Sequence, residues 1–347
     1  MRGGGSDARP LAVGNRMRVG VIGVGRMGQT HAVTLRSIAD VDSVVLTDVD
    51  TDRAEQVAAD AGADTVATTD DLLASVDAVV IAAASSAHAD LIHACADAGL
   101  PTFCEKPITI DLASTAEVVE HVHRAGIQLQ MGFQRRFDAG FTGARALVAD
   151  GTIGTLYVVR MAGHDPAPPH EDYIPASGGI FRDFSVHDFD ALRFVTGQET
   201  VEVYADGAVL NFPQFARYGD VDTGVVALRL SGGSFGILSV TRHDPLGYDI
   251  RMELLGSGDS VVVGWDDRLP LRSIESGGRP APADAYANFQ QRFADAYRAE
   301  MHAFVDVAAG RRPSPCTAED ALEAMRVAVA CDRSREEHRP VRLEEVA

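Results

Sequence analysis

The sequence predicts an α/β fold in two domains, and three observations support this prediction. The chain has 347 residues, which is more than one small hydrophobic core usually organises. Its first third alternates short β-branched runs with segments of helical periodicity, a pattern typical of right-handed βαβ units. The first of these runs leads directly into a glycine-rich turn. We therefore expect a doubly wound parallel sheet in the N-terminal part of the chain.

A strand followed by three glycines opens this pattern. The stretch RVGVIG is an apolar, β-branched run typical of a strand buried on both faces. Gly23, Gly25 and Gly28 have G-x-G-x-x-G spacing. In that spacing the first glycine permits a tight turn, the second lets the backbone approach a pyrophosphate, and the third lets the helix pack on the strand. Glycine-rich turns also occur in proteins that bind no nucleotide, so the surrounding sequence has to show whether this turn binds one.

The end of the second strand supplies that context. The stretch VDSVVLTD reads as a strand, and it ends in Asp48, twenty residues after Gly28. A carboxylate at this place accepts hydrogen bonds from ribose hydroxyls and repels a 2′-phosphate, which favours NAD over NADP. The alternative is that Asp48 only caps the helix that begins near Thr51. Because strand, glycines, helix, strand and acid occur in order, we predict an NAD-binding Rossmann domain.

Three loops of this domain should lie together at the carboxyl ends of the parallel strands, where such sheets bind ligands. They are the stretches GVGRMG, AAASSAH and CEKP. The cofactor-binding residues that we predict from these loops and the second strand are Gly23, Gly25, Arg26, Met27, Gly28, Asp48, Ala83, Ser85, His88, Glu105 and Lys106. We place this domain at residues 17–137 and interpret residues 1–16 as a flexible, Gly-rich tail.

Composition and charge exclude several classes of partner. The net charge of −19 repels phosphate backbones and anionic lipid, so we expect neither nucleic acid nor membrane as a partner. We find no apolar run long enough to span a bilayer and no signal-peptide pattern at the N-terminus. The four cysteines include no C-x-x-C pair, which argues against a disulfide framework and a Cys-rich zinc site. We expect a cytoplasmic protein.

Lys106 is the first residue with potential chemistry. It lies in Glu105-Lys106-Pro107, at the end of a predicted strand. The proline restricts Lys106 to an extended backbone and so directs its side chain. A partly desolvated lysine there can lose its proton near neutral pH or polarise a hydroxyl oxygen. The alternative is an ordinary surface lysine on a turn, and the residues alone leave both interpretations open.

The run GGIFRDFSVHDFDALRFVTG, within residues 177–197, supplies a second candidate. Asp183 and His187 are four residues apart, so on a helix they share a face. An imidazole can accept a proton there while the carboxylate orients it or stabilises its charge. The alternative is a helix pair that stabilises by only about 0.3 kcal/mol.

A metal site is a third interpretation of this region. The His and Asp side chains that are near one another in sequence are His164, His170, Asp172, Asp183, His187 and Asp188. Their spacing does not match H-E-x-x-H or a similar ligand motif. We therefore expect no metal.

Five stretches together resemble one family. They are GVIGVGRMGQTHA, CEKPIT, MGFQRRFDAGF, GGIFRDFSVHDFDALRFVTG and QRFADAYRAEMHAF. They are similar to the glucose–fructose oxidoreductase/inositol dehydrogenase (Gfo/Idh/MocA) family, and most to its inositol 2-dehydrogenase branch. The resemblance extends from Met17 to about Ser334. Gln134 departs from the branch, which has Met at this position, and GHDPAPP departs from it by lacking an Asn near Asp165.

The resemblance implies a catalytic set and a substrate-binding set. The catalytic set is Lys106, Asp183 and His187, which match the lysine of E-K-P and the Asp and His of the second run. The residues implied to contact the polyol substrate are Lys106, Arg135, His164, Asp183, His187 and Tyr297. In the implied mechanism His187 accepts the hydroxyl proton, Lys106 binds the reacting oxygen, and Asp183 holds both in register.

The resemblance further implies a C-terminal α+β domain with an open, mostly antiparallel sheet used in homo-oligomers such as a dimer or a tetramer. Short apolar runs separated by Gly, Asp or Ser turns agree with this expectation. We place this domain at residues 138–335, followed by a tail at 336–347. Three arginines, Arg229, Arg242 and Arg251, interrupt the apolar runs and suggest a second, partly polar sheet face.

The expected function is NAD-dependent oxidation of a CH–OH group, with myo-inositol oxidised to 2-keto-myo-inositol. One alternative is a related cyclitol, aldose or amino-sugar dehydrogenase that uses the same residues. Another is a non-catalytic NAD(P)-binding regulatory protein, which we expect to lack the Lys or the Asp/His set. This chain has all three residues.

Overall fold

The computed structural model describes residues 16–346 and divides into two compact units. The first unit contains residues up to Gly132 and the segment Tyr297–Ala321, and the second contains Phe133–Ala296 and the residues from Leu322 onward. The sequence predicts a boundary near residue 137 and keeps residues 297–321 in the second domain, whereas the structure groups them with the first. Except for Arg16, the predicted N-terminal tail lies outside the described residues.

The first unit alternates strands and helices as the sequence predicts. Its elements are β1 (Met17–Ile22), α1 (Arg26–Arg36), β2 (Val41–Thr47), α2 (Thr51–Ala61), β3 (Asp64–Thr65), α3 (Thr69–Leu73), β4 (Ala78–Ile81), α4 (His88–Asp97), β5 (Thr102–Glu105), α5 (Leu112–Ala125) and β6 (Leu129–Gly132). Over the described residues, its six parallel strands have the order β3-β2-β1-β4-β5-β6. The chain starts at β1 and winds outward in both directions, so the predicted doubly wound sheet is confirmed.

Burial and helix caps explain these elements. The last four residues of β1 are buried, as expected for a strand covered on both faces. Helix α2 begins after Asp50, whose side chain accepts a hydrogen bond from the Arg53 N–H, and it ends at Gly62 in the left-handed conformation. Met301 and Phe304, which come from the C-terminal segment, belong to the same apolar core as β1 and β2.

The second unit is α+β. The elements from residue 133 onward are α6 (Ala139–Ala149), β7 (Leu156–His164), α7 (Ile174–Ser177), α8 (Val186–Thr196), β8 (Thr200–Ala208), β9 (Thr223–Leu230), β10 (Phe235–Thr241), β11 (Asp249–Gly256), β12 (Ser260–Val263), α9 (Phe289–Arg292), α10 (Ala294–Ala308), α11 (Ala318–Glu337) and β13 (Val341–Arg342). Most of α10 and the start of α11 belong to the first unit. Within the described part of the chain the sheet has seven strands in the order β12-β11-β7-β10-β9-β8-β13. It is antiparallel except where β7 pairs with β10, which confirms the expected mostly antiparallel sheet. The segment expected as a C-terminal tail contributes its last strand, β13.

The two faces of this sheet differ in burial. Along β9, buried and exposed residues alternate strictly after the first residue, which is typical of a sheet with one covered face. Arg229 lies on the exposed face, as expected. Arg242 was also expected on a partly polar face, and this expectation is wrong, because Arg242 is only 2% exposed. Arg242 follows the last residue of β10, and carboxylates surround it there instead of solvent.

None of the helices in residues 16–346 is both long enough and apolar enough to cross a membrane.

Candidate active site

The glycine-rich loop fits a pyrophosphate. Gly23 has φ +88°, and a Cβ there would lie 2.5 Å from the backbone of Ala83, while a Cβ on Gly28 would lie 1.9 Å from the Gly23 carbonyl oxygen. A Cβ on Gly25 would meet nothing within 4 Å, so a ligand can approach the backbone there. The first turn of α1 contains Arg26 and Met27, carries no acidic residue and has no side-chain cap. Its N–H groups therefore suit an anion.

Asp48 is held at the rim of this loop. Its Oδ2 atom accepts a hydrogen bond from the Val24 N–H at 2.7 Å, and its Oδ1 atom accepts hydrogen bonds from the Asp50 N–H at 2.9 Å and from Arg53 at 2.7 Å. Burial raises the pKa of Asp48, but these backbone bonds and Arg53 outweigh it and lower the pKa below its usual value. The residue that caps α2 is Asp50, so the alternative role of Asp48 as a helix cap is wrong.

The loop after β4 is joined to the loop after β5 through a histidine. The His88 ring contacts the Pro107 carbonyl oxygen through Nδ1 at 2.7 Å and the Ala83 carbonyl oxygen through Nε2 at 3.1 Å. Both ring nitrogens thus face backbone oxygens, and the residue is 1% exposed. This geometry supports a structural role for His88, which was predicted to bind the cofactor. Ser85 lies in the short helical turn that precedes His88.

Lys106 follows a buried carboxylate cluster. The preceding residue, Glu105, contacts the His31 ring nitrogen Nε2 at 2.7 Å through its Oε1 atom. Glu300 is fully buried in the same unit, and neither of its carboxylate oxygens has a hydrogen-bond partner among the described residues. Burial, together with the negative charge of Glu105, raises the pKa of Glu300 well above its usual value. Both effects disfavour the ionised form of the Glu300 carboxyl group.

Tyr297 is placed in this first unit. It is buried, and its ring packs against the ring of His31 with a centroid separation of 6.1 Å. His31 in turn contacts Glu105, which precedes Lys106. The structure therefore places Tyr297 in the unit that contains the predicted cofactor-binding residues, whereas the sequence prediction placed it in the second domain. Its assignment to substrate binding stays a prediction.

In the second unit, Asp183 lies in a turn of π-helix at Phe181–Ser185 that leads into α8. Such turns occur frequently at functional sites. Its Oδ1 atom accepts a hydrogen bond from the Tyr173 hydroxyl at 2.8 Å, and its Oδ2 atom accepts one from Arg242 Nη1 at 2.9 Å. His187 is half-buried in the first turn of α8, and its ring packs edge-on against Phe133.

Arg135 is buried and paired. It donates to the Asp188 carboxylate at 2.5 Å and also forms a hydrogen bond with Tyr248. Both partners are buried in the same unit. Burial raises the pKa of Tyr248, so its phenol stays protonated. The neighbouring Arg136 pairs in the same way with Asp190, through Nε at 2.9 Å and Nη2 at 2.7 Å.

His164 ends β7 among polar side chains. Its Nε2 atom contacts the Ser239 hydroxyl at 3.1 Å, and its Nδ1 atom lies 3.4 Å from Asp249 and 3.8 Å from Asp244. The side chains of His164, Asp244 and Asp249 are close enough to one another to hold a cation. Arg251 binds both oxygens of Asp249, however, and this explains the cluster as an ion-pair network. Burial raises the pKa of Asp249, but His164 and Arg251 outweigh it and lower the pKa below its usual value.

Sequence reasoning missed several of these partners. Tyr173, Arg242 and Tyr248 contact predicted site residues, but each comes from a different segment of the second unit. The one available signal was Arg242 itself, a charged residue directly after an apolar strand. Its buried position depends on long-range packing, and neither periodicity nor spacing reveals such packing.

Comparison with known proteins identifies the family. Residues 17–133 match the NAD-binding Rossmann fold of the Gfo/Idh/MocA oxidoreductase family. Residues 141–262 match the C-terminal domain of the same family. The chain belongs to this oxidoreductase family. The predicted fold class and the predicted cofactor, NAD, agree with it.

Individual relatives are inositol dehydrogenases. The chain is 37% identical to myo-inositol 2-dehydrogenase of Thermotoga maritima over 95% of this chain and 99% of the relative. It is 32% identical to scyllo-inositol 2-dehydrogenase (NAD(+)) of Bacillus subtilis over 95% of this chain and 97% of the relative. A crystal structure of scyllo-inositol dehydrogenase from Lactobacillus casei, with bound NAD(H) and scyllo-inositol, superposes with a TM-score of 0.85 at 28% identity and covers 95% of this chain and all of that one.

Asp48 should set the choice of cofactor. Replacement by Ser removes the negative charge that repels a 2′-phosphate, and it releases Arg53, which can then bind that phosphate. We expect the ratio of kcat/KM for NAD⁺ to that for NADP⁺ to fall by about 10²-fold. The double variant Asp48→Ser/Arg53→Ala is the matched control, and it should lose most of the gain with NADP⁺. An unchanged ratio in Asp48→Ser would contradict this role of Asp48.

Glu300 should make stability depend on pH. The pKa of Glu300 is raised in the folded state, so the folded protein binds more protons than the unfolded chain above about pH 4.5. Stability contributed by this group is therefore lost as the pH rises. Glu300→Gln should remove the loss, so its free energy of unfolding relative to wild type should grow by up to about 1.4 kcal/mol per pH unit. Denaturant titrations between pH 5 and pH 8 measure this difference. Glu120→Gln, at an exposed site on α5, should show no such trend.

Proposed function

We propose that this protein is an NAD-dependent dehydrogenase that oxidises a ring hydroxyl of a cyclic polyol, with myo-inositol converted to 2-keto-myo-inositol. The inositol dehydrogenases among its relatives support the substrate class. The glycine-rich loop, with Asp48 at its rim, supports the use of NAD. Bound NAD⁺ supplies the hydride acceptor, and the protein supplies the binding, orientation and proton transfer.

The observation that carries this proposal is the lysine content. The chain has 31 Lys and Arg residues together, and Lys106 is the only lysine among them. Every other basic Lys/Arg position holds arginine, which supports a need for an amine, and not only for a positive charge, at the position after Glu105. An ammonium can share or give up a proton, whereas a guanidinium holds its own. This requirement fits proton transfer better than a structural ion pair.

The roles of the catalytic set follow from their chemistry. His187 accepts the proton of the reacting hydroxyl as its C–O bond becomes a carbonyl. Lys106 shares its proton with the same oxygen through a hydrogen bond and so stabilises the negative charge that develops on it. Asp183 is fixed by Tyr173 and Arg242, and it acts as the carboxylate that holds the His187 imidazole in register.

The second unit supplies donors and acceptors suited to a polyol. The side chains in question form two groups, Arg135 with Asp188 and Tyr248, and His164 with Asp249. A cyclic polyol presents several hydroxyls that each donate and accept, and fixed polar groups discriminate among their arrangements. We infer that Arg135 and His164 orient the ring.

Two alternatives predict different measurements. A dehydrogenase for another cyclitol, an aldose or an amino sugar would oxidise that compound with a higher kcat/KM than myo-inositol, and a panel of inositol isomers and aldoses with NAD⁺ separates these cases. A non-catalytic NAD(P)-binding protein would bind the cofactor and oxidise no member of the panel. The retained lysine, carboxylate and imidazole favour an enzyme.

Replacing the single lysine tests the proposed function. Lys106→Met should lower kcat with myo-inositol by about 10²–10⁴-fold, the usual contribution of a proton-transferring group. Lys106→Arg should lose nearly as much, because the guanidinium keeps the charge but holds its proton. NADH formation followed at 340 nm measures both rates.

The control for this test is Arg124→Lys, at an exposed position paired with Glu120. It should leave kcat unchanged and show that lysine and arginine interchange freely elsewhere. A Lys106→Arg variant that keeps kcat within about threefold of wild type would contradict an amine role.

We further propose that the exposed sheet face joins copies of this chain in a homo-oligomer, a dimer or a tetramer. The face carries large apolar side chains that are 41–53% exposed, namely Tyr204, Val225, Phe235 and Ile237. They are neighbours in register: Ile237 pairs with Ala227, which also pairs with Tyr204, and Ser239 pairs with Val225. An apolar patch of this kind on the exposed face of a sheet favours a self-complementary contact.

Ile237→Asp should disrupt this contact, because it places a charge in the middle of the apolar patch. Light scattering after gel filtration should then report a smaller mass than for wild type. Leu210→Asp is the control, since Leu210 is exposed in the same unit but lies beyond the end of β8. A wild-type protein that is monomeric at micromolar concentration would contradict the proposal.

We infer that the protein works in the cytoplasm. All four cysteines are buried, and none of them forms a disulfide in the described residues, as expected in a reducing compartment.

A further inference from the structure

Arg242 is a buried cation beside a predicted catalytic carboxylate. The residue is 2% exposed and follows β10 directly. Its Nη1 atom lies 2.9 Å from Asp183 Oδ2 and 3.6 Å from Asp165 Oδ2. Burial alone would lower the pKa of Arg242, but the negative charges of Asp183, Asp165 and Asp220 raise it. The guanidinium therefore stays charged within a group of carboxylates.

Two donors from separate segments fix the Asp183 carboxylate. Arg242 binds one oxygen, and the Tyr173 hydroxyl binds the other at 2.8 Å. Tyr173 precedes α7, whereas Arg242 follows β10. Since each carboxylate oxygen can accept two hydrogen bonds, these two donors define the plane of the carboxylate and leave it able to accept from further donors.

The charge-assisted bond from Arg242 is the stronger of the two. Phe184, the residue after Asp183, also lies against the guanidinium, with the Arg242 Cζ atom 5.8 Å from its ring centroid. A buried arginine in contact with both residues links the π-helical turn to the end of β10. Asp183 is thereby attached to a residue that directly follows a strand of the sheet.

We propose that Arg242 is a positioning residue that holds Asp183 in the orientation required for polyol oxidation. This inference rests on the proposed function, in which Asp183 keeps the His187 imidazole in register. Arg242 does not need to touch the substrate or the cofactor. Its loss should lower kcat and leave cofactor binding unchanged, because the predicted cofactor residues belong to the first unit.

The first part of the experiment compares two substitutions. Arg242→Met removes the donor and the charge, and it should lower kcat with myo-inositol by about 10²-fold. Arg242→Lys restores the charge as a single-point donor and should recover about tenfold of that loss. The Kd for NADH, measured by fluorescence titration, should stay within about twofold of wild type in both variants. Arg193→Met, which breaks the exposed Arg193–Glu199 pair in the same unit, should change neither quantity.

The second part is a double-mutant cycle with Asp183→Asn. If Arg242 acts through Asp183, adding Arg242→Met to Asp183→Asn should change kcat by less than about threefold. A further loss in the double variant as large as in the single variant overturns the proposal. If Arg242→Met does not fold, as judged by circular dichroism, the same cycle with Arg242→Lys decides in the same way.

A structural readout separates this proposal from the proposed function. In a crystal structure of Arg242→Met, or of Arg242→Lys if the former does not fold, the Asp183 carboxylate should leave its wild-type rotamer. An unchanged rotamer overturns the proposal whatever the rate of the wild-type protein. A wild-type protein that oxidises no polyol refutes the proposed function, and the position of Asp183 in the variant still decides whether Arg242 positions it.

Discussion

The second unit depends on the pairing of buried charges. Three arginines inside it, Arg135, Arg136 and Arg242, each bind an aspartate on the π-helical turn or on α8. An unpaired charge at any of these places would be strongly destabilising, because the protein interior does not solvate it. The aspartate-bearing segment therefore has one position in which all three charges are satisfied. The carboxylate and the imidazole that we assign to catalysis lie on that segment, so their positions follow from the pairing.

Much of the first unit could be predicted from sequence because its determinants are local. The period of the apolar runs gives the strands and helices, and Gly23 and Gly28 stand where a Cβ would strike the backbone. The family match confirms the fold class that these features predict. The place of residues 297–321 in this unit was not predicted, since the contribution of Met301 and Phe304 to the core of β1 and β2 is a long-range contact.

The candidate site was predicted only in part. Lys106, Asp183 and His187 lie in short motifs, and such motifs can be read from one segment at a time. Tyr173 and Arg242 come from segments far apart in sequence, and only the folded chain shows that both bind Asp183. The turn that carries Asp183 is π-helical, whereas the sequence suggested regular helix. The residues that support the site were therefore harder to predict than the residues proposed to act in it.

The sole lysine also has a practical consequence. Reagents that acylate amines, such as succinimidyl esters used for dyes, biotin or coupling to a solid support, find one ε-amino group in this chain, besides the α-amino terminus. On most proteins such a reagent labels surface lysines, but in this chain it would modify Lys106, the lysine that we assign to catalysis. Immobilisation through thiols is no remedy, because the four cysteines are buried. Attachment through carboxylates, which are abundant in this acidic chain, avoids the problem.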